Sequence, residues 1–226
     1  MDFITALEKE FIAQANTAQS SAMEAYMKNH FPFFGIAMPQ RRAILKSVSA
    51  EYSDEIKANA RALAFQLYEK PQREFHYCAI ELLIKNCSKK LVLDDIHWIE
   101  HLLLTHSWWD SVDTISKYLL GRYLTQFPEQ TNMVIEKFSN ASNIWLNRST
   151  LLFQLDYKKN TNFSILEAVC EYFKESNEFF IQKAIGWALR EYSKINPITV
   201  QNYVISTNLK PLSKKEALRI IEKQKL

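Results

Sequence analysis

The sequence predicts an all-α fold built from stacked helix pairs, and three observations carry that reading. Glycine and proline are scarce, at three and six of 226 residues. A β-sandwich, a propeller or a Gly-rich nucleotide-binding fold needs many more tight turns. Apolar residues recur at helical spacing nearly end to end, with no convincing strand alternation. Finally, the helices repeat with a period of about 35 residues, the length of one helix pair. Such pairs stack into a curved solenoid whose inner helices line a concave face. The whole chain, residues 1–226, is read as one domain.

In order, helices are expected over 2–15, 20–30, 39–51, 54–69, 72–87, 92–105, 108–125, 129–139, 143–157, 162–174, 178–194, 197–207 and 213–224. Pro39, Pro128 and Pro197 stand where a first turn tolerates a missing N–H. Ser213 with Glu216 three residues later, after Pro211, reads as a capping box.

The repeat is seen by aligning the second helix of each pair: PQRRAILK (39–46), REFHYCAIELL (73–83), SWWDSVDTISK (107–117), NIWLNRSTLLF (143–153), EFFIQKAIGWA (178–188) and PLSKKEALRII (211–221). A small residue recurs at Ala43, Ala79, Ser149, Ala184 and Ala217, and the third repeat places Asp113 in that column. The preceding column reads Arg42, Cys78, Val112, Arg148, Lys183 and Glu216. Three of its six members are basic, on helices expected to line the concavity, and a basic helical groove suits a phosphate backbone. Solvated helix faces are the plainer explanation for any one of these cations.

Composition bounds the rest. The chain is 47% apolar and 23% charged, so it can bury a large core, and its net charge of +3 permits a polyanionic partner without demanding one. Cys78, Cys87 and Cys170, an odd set without a C-x-x-C pair, suit a reducing interior. The N-terminal MDFITALEKEF reads as an acidic amphipathic helix, so no leader is expected, and no apolar run is long enough to span a bilayer. A soluble, cytoplasmic monomer with no membrane association and no obligate protein partner is expected.

YMKNHFPFFGI (26–36) with PQRR, SWWDSVD (107–113), NIWLNR (143–148) and FFIQKAIGWALREY (179–192) together resemble the DNA alkylation repair enzymes of the AlkD type, over nearly the whole chain and in the right order. The resemblance implies a right-handed solenoid of HEAT-like repeats with a concave DNA-binding face. It implies a glycosylase that removes purines alkylated at N3 of adenine or N7 of guanine from duplex DNA, leaving an abasic site. It places Trp109, Asp113 and Trp187 in the active site and Arg148 and Arg190 on the DNA backbone, with Tyr26 and Arg42 near the DNA surface. Met38 before Pro39, and Asp156 before Lys158 and Lys159, depart from what phosphate contact favours.

The chemistry can be argued from the residues. A cationic alkylpurine is already a good leaving group, because breaking its glycosidic bond neutralises it. No general acid is required. What is required is a carboxylate such as Asp113 beside the anomeric carbon, to stabilise the developing positive charge and to position or deprotonate water. Indole faces at Trp109 and Trp187 attract cations by ~0.5–2 kcal/mol per contact. Trp109 and Asp113 stand at i and i+4, hence on one helix face. Trp187 follows two repeats later, with Arg190 three residues beyond it and Lys183 four before. Trp108 and Trp145 are assigned to packing.

Other patterns carry less. HWIEH (97–101) spells a zinc-peptidase motif, but no third ligand follows at suitable spacing. His97 and His101 are read as surface or interhelical, and neither metal nor cofactor is expected. Lys183 is the only lysine placed for Schiff-base chemistry, and backbone contact is its simpler role. Two rivals share the fold: a non-catalytic protein binding branched or distorted DNA, and a scaffold binding a peptide in its concavity. The Trp/Asp set argues against the first, and the basic column against the second.

Overall fold

The computed structural model describes residues 1–223, which divide into two compact units, Met1–Lys90 and a second that begins at Leu91. Every regular element among the described residues is helical. The first unit holds α1 (Phe3–Ala13), α2 (Thr17–Tyr26), α3 (Met38–Glu51), α4 (Ser53–Tyr68) and α5 (Arg73–Asn86). The second holds α6 (Asp95–Leu104), α7 (Trp109–Ile115), α8 (Gly121–Gln126), α9 (Thr131–Ser139), α10 (Ile144–Leu152), α11 (Phe163–Phe173), α12 (Phe179–Ser193), α13 (Pro197–Ser206) and α14 (Pro211–Lys223).

Each expected helix is present, with ends shifted by a few residues. Short polar side chains set many of the starts. Asp2, Asn16, Asn143, Asn162 and Asn196 each accept a hydrogen bond from a backbone N–H of the turn they precede. Pro39 and Pro197 lie in first turns, while Pro128 opens a 3₁₀ turn that delays α9 to Thr131. The helix expected over 108–125 is α7 and α8 joined through a π segment, Ser116–Leu120. At its far end Gly121 lets another segment approach, since a Cβ there would lie 2.3 Å from the Phe153 carbonyl oxygen. The helix expected over 213–224 starts earlier, at Pro211, and residue 224 lies outside the described residues.

Two details of the sequence reading are corrected. Ser213 and Glu216 do not form a capping box. Ser213 lies inside α14, and its buried hydroxyl donates to the Gln182 carbonyl at 3.0 Å. Ala43 is exposed, whereas Ala79, Ser149, Ala184 and Ala217 are wholly buried. The alignment is therefore out of phase in its first member, where α3 buries Arg41, Leu45 and Val48 instead.

In the first unit, α4 and α5 pack side by side, and α1 lies on α3 and α4. Phe3, Leu7, Phe11, Leu67, Phe75 and Leu83 fill the core. A wholly buried carboxylate, Glu74 at the start of α5, fastens the loop before α3. It accepts the backbone N–H groups of Phe34, Gly35 and Ile36 at 3.0–3.1 Å. Gly35 is needed there: its φ is +83°, and a Cβ would lie 2.1 Å from the Asn16 carbonyl oxygen. Buried Arg73 lies over the Phe31 ring at 4.0 Å and meets His76 Nδ1 at 3.3 Å. His76 Nε2 lies 2.6 Å from the Lys70 carbonyl, which can only accept, so Nε2 carries the proton and Nδ1 accepts from Arg73.

The second unit shows the repeat directly. Its inner helices α7, α10, α12 and α14 begin at Trp109, Ile144, Phe179 and Pro211, close to the expected period of about 35 residues. They pack in series, α7 on α10, α10 on α12 and α12 on α14, with α6, α9, α11 and α13 alternating between them in the chain. Ser149, Ala184 and Ala217 are buried along this row. No helix among the described residues is long and apolar enough to cross a membrane.

Candidate active site

The site expected from the sequence is centred on α7. His106, with φ +49°, turns the chain out of the preceding helix, and Trp108 takes an extended conformation as the residue before α7. The next residue, Trp109, opens the helix and Asp113 follows one turn later, so both project from one face. Trp108 points into a ring cluster with Trp145 and Phe180, with centroids 5.0–5.5 Å apart. Trp108 and Trp145 are thus packing residues, as their sequence positions suggest. Trp109 and Asp113 are both partly accessible.

Arg148 of α10 grips Asp113. Its Nε donates to Oδ1 at 2.7 Å and its Nη2 to Oδ2 at 2.9 Å, the fork-on-fork geometry that fixes a carboxylate in both distance and plane. Arg148 Nη1 donates to the Phe180 carbonyl at the start of α12. One guanidinium therefore joins three successive inner helices. The arginine side chain is 5% exposed and the aspartate 13%. Burial pushes the Asp113 carboxyl above its usual value of 3.8, against the opposing pull of Arg148. A carboxylate held in one plane and made more basic by desolvation suits electrostatic and general-base work.

The other expected residues fall into two settings. Lys183, Trp187 and Arg190 form one stripe on α12, at i, i+4 and i+7. Lys183 Nζ lies 2.7 Å from Glu216 Oε1, and Arg190 Nη1 donates to Glu216 Oε2. Trp187 is half-buried, packed along the core of the later helices. Tyr26 and Arg42 belong to the first unit. Tyr26 is exposed at the end of α2, and Arg42 is exposed with its Nε 2.9 Å from Glu81 Oε1. Arg41, its buried neighbour, shares that carboxylate at 2.9 Å.

The basic column thus proves to be a set of ion pairs between neighbouring repeats. Arg148 reaches back to Asp113, Lys183 reaches forward to Glu216, and Arg41 and Arg42 reach forward to Glu81. Sequence reasoning singled out the cations and missed Glu81 and Glu216 as their partners. A usable signal existed, since Glu81 stands 40 residues from Arg41 and Glu216 33 from Lys183, roughly one repeat in each case. Gly186 was also missed. A Cβ there would lie 2.4 Å from the Glu216 Cβ and 2.8 Å from the Ser213 carbonyl oxygen. Its absence lets α14 close onto α12 and brings Glu216 to the two cations.

The remaining titratable groups offer little competing chemistry. Cys78 and Cys170 are buried thiols held in the protonated form by desolvation, with Cys78 pushed up to about 12. His97 and His101 are exposed on α6, and no group of three His, Cys, Asp or Glu side chains among the described residues is placed to hold a metal.

The described residues thus form an all-α stack of helix pairs, with Trp109 and Asp113 on one face of α7 and Arg148 closed on the carboxylate. Residues 7–221 match the family model described as DNA alkylation repair enzyme, and the chain belongs to that family. Its fold is similar to a solved structure described as a predicted DNA alkylation repair enzyme from Enterococcus faecalis. The TM-score is 0.83 and the identity 33%, over 92% of this chain and 97% of that one. A comparison with curated proteins finds no match.

Proposed function

We propose that the chain is a monofunctional DNA glycosylase that hydrolyses the N-glycosidic bond of cationic alkylpurines, N3-alkyladenine and N7-alkylguanine, in duplex DNA. The observation that carries this reading is the Asp113–Arg148 pair: a desolvated carboxylate, fixed in plane, one helical turn from Trp109. Asp113 stabilises the sugar as positive charge grows on it. Water attacks the anomeric carbon, the bond to the purine breaks, and its electron pair neutralises the base. The water proton passes to the Asp113 carboxylate. Trp109 and Trp187 offer π faces to the cationic lesion and its sugar, and the reaction consumes only water.

The roles of the cations are refined by their partners. Arg148 acts as the residue that holds Asp113, since its guanidinium is buried and engaged. Lys183 and Arg190 meet the DNA backbone near the lesion, with Arg42 and Tyr26 as further contacts. The test is release of free methylated base from methylated duplex DNA, with Asp113→Asn run beside the wild type. Release by the wild type, reduced at least a hundredfold in the variant, is the expected result. That factor is the lower end of what one general base contributes. DNA binding without release by either protein would replace this reading with the non-catalytic one.

A further inference from the structure

Glu216 lies outside the set of residues assigned to the reaction, yet it contacts two of the cations in that set. Its carboxylate spans Lys183 and Arg190, one oxygen to each. Lys183, Trp187 and Arg190 share a stripe of α12, so the carboxylate lies beside the proposed lesion-facing indole. The cations remain reachable, with the Lys183 side chain 37% exposed and that of Arg190 18%, against 14% for Glu216.

We propose that Glu216 is a built-in counter-anion of the DNA-binding face. It leaves the Lys183–Arg190–Glu216 cluster with one net positive charge and so limits how tightly this face holds a phosphate. The inference rests on the proposed function. It assigns Glu216 the task of keeping the enzyme exchangeable on undamaged DNA, which carries the same phosphates as a lesion site.

A purely mechanical role for Glu216 fits less well. Contact between α12 and α14 is already secured by Gly186, by the Ser213 hydroxyl on the Gln182 carbonyl, and by Ala217 and Ile221 in the core. The pair to Lys183, whose side chain is 37% exposed, adds little to such packing. Without Glu216 the two cations would present a charge of two to the backbone. Nearly every neutralised phosphate contributes to the salt dependence of binding, so one missing carboxylate has a countable effect.

The experiment measures equilibrium binding of an unmodified duplex between about 50 and 200 mM salt. It compares wild type with Glu216→Gln, which keeps the shape and loses the charge, and thermal melting is followed for each protein. Glu216→Gln is expected to bind more tightly at the low-salt end. Its plot of log affinity against log salt should be steeper by about 0.9, so its advantage shrinks about 3.5-fold over that range. Lys183→Gln is expected to be shallower by a similar amount, and it gives a second readout should the first variant not fold. Slopes unchanged in both variants, with altered melting alone, would overturn the proposal and leave Glu216 as a brace. A wild type without salt-dependent duplex binding would instead remove the DNA-binding reading, and this inference with it.

Discussion

Asp113 is the side chain on which the proposed chemistry depends, and its raised pKa dictates a pH response. Burial holds the carboxyl above 3.8 in the folded chain, so the folded state binds this proton more tightly than the unfolded one. Ionising Asp113 therefore costs stability as pH rises through the window between the two values. Activity runs the opposite way, because the reaction needs the ionised form. Base release should fall with decreasing pH at a value above the 3.8 of an ordinary aspartate, and a profile breaking at or below 3.8 would contradict the burial argument. Arg148→Ala should be the more damaging change for the fold. It leaves a buried carboxylate without its partner, a loss of about 3–5 kcal/mol, visible as a lower melting temperature together with an acid limb displaced upward. A variant that lost only DNA affinity would show that Arg148 serves the backbone and not Asp113.

At the scale of the elements, the contact between α12 and α14 turns on one missing Cβ. Gly186→Ala would set a methyl 2.4 Å from the Glu216 Cβ, and α14 must move or strain. Overpacking of this kind costs about 1–3 kcal/mol. The same displacement should loosen Glu216 from Lys183 and Arg190, so the variant should show lower thermal stability and the steeper salt dependence expected of Glu216→Gln. An unchanged melting temperature would mean that α14 is not seated as described. In the first unit the corresponding fastening is Glu74. Glu74→Ala strips a buried acceptor from three N–H groups of the 34–36 loop, at about 1–3 kcal/mol for each donor left unsatisfied. Hydrogen exchange at Phe34, Gly35 and Ile36 should rise ahead of exchange in α10, and uniform exchange across the chain would count against a local role.

Across the whole molecule, a net charge of +3 is small for a DNA-binding protein, and Arg41, Arg42, Arg148, Lys183 and Arg190 are all engaged by carboxylates. The salt dependence of duplex binding should accordingly reflect a few phosphates, far fewer than a count of Lys and Arg suggests. A log–log slope between about −2 and −5, at about 0.9 per phosphate, is the expectation. A slope near zero would favour a peptide-binding groove, and one beyond about −8 would show that the ion pairs open on binding.

Much of this architecture was legible in the residues. Helical spacing and scarce Gly and Pro declared the class, and Pro39 and Pro197 marked two of the starts. The period of the inner helices put Arg148, Lys183 and Glu216 in one column and Asp113 in the next, because hydrophobic periodicity is a local property that a short window contains. The Trp109–Asp113 pair was legible for the same reason, being one helical turn. What the residues alone could not decide was the fate of each charge. Arg148, Lys183 and Arg42 read alike as candidates for a solvated basic face, and only the packing of one repeat on the next shows Arg148 closed on Asp113 and Lys183 on Glu216. An ion pair depends on distance in space, and here the partners stand 33 to 40 residues apart. Tertiary structure also decided the parts of Gly186 and Ser213, because close approach and hydrogen-bond partner are set by the helix that lies opposite.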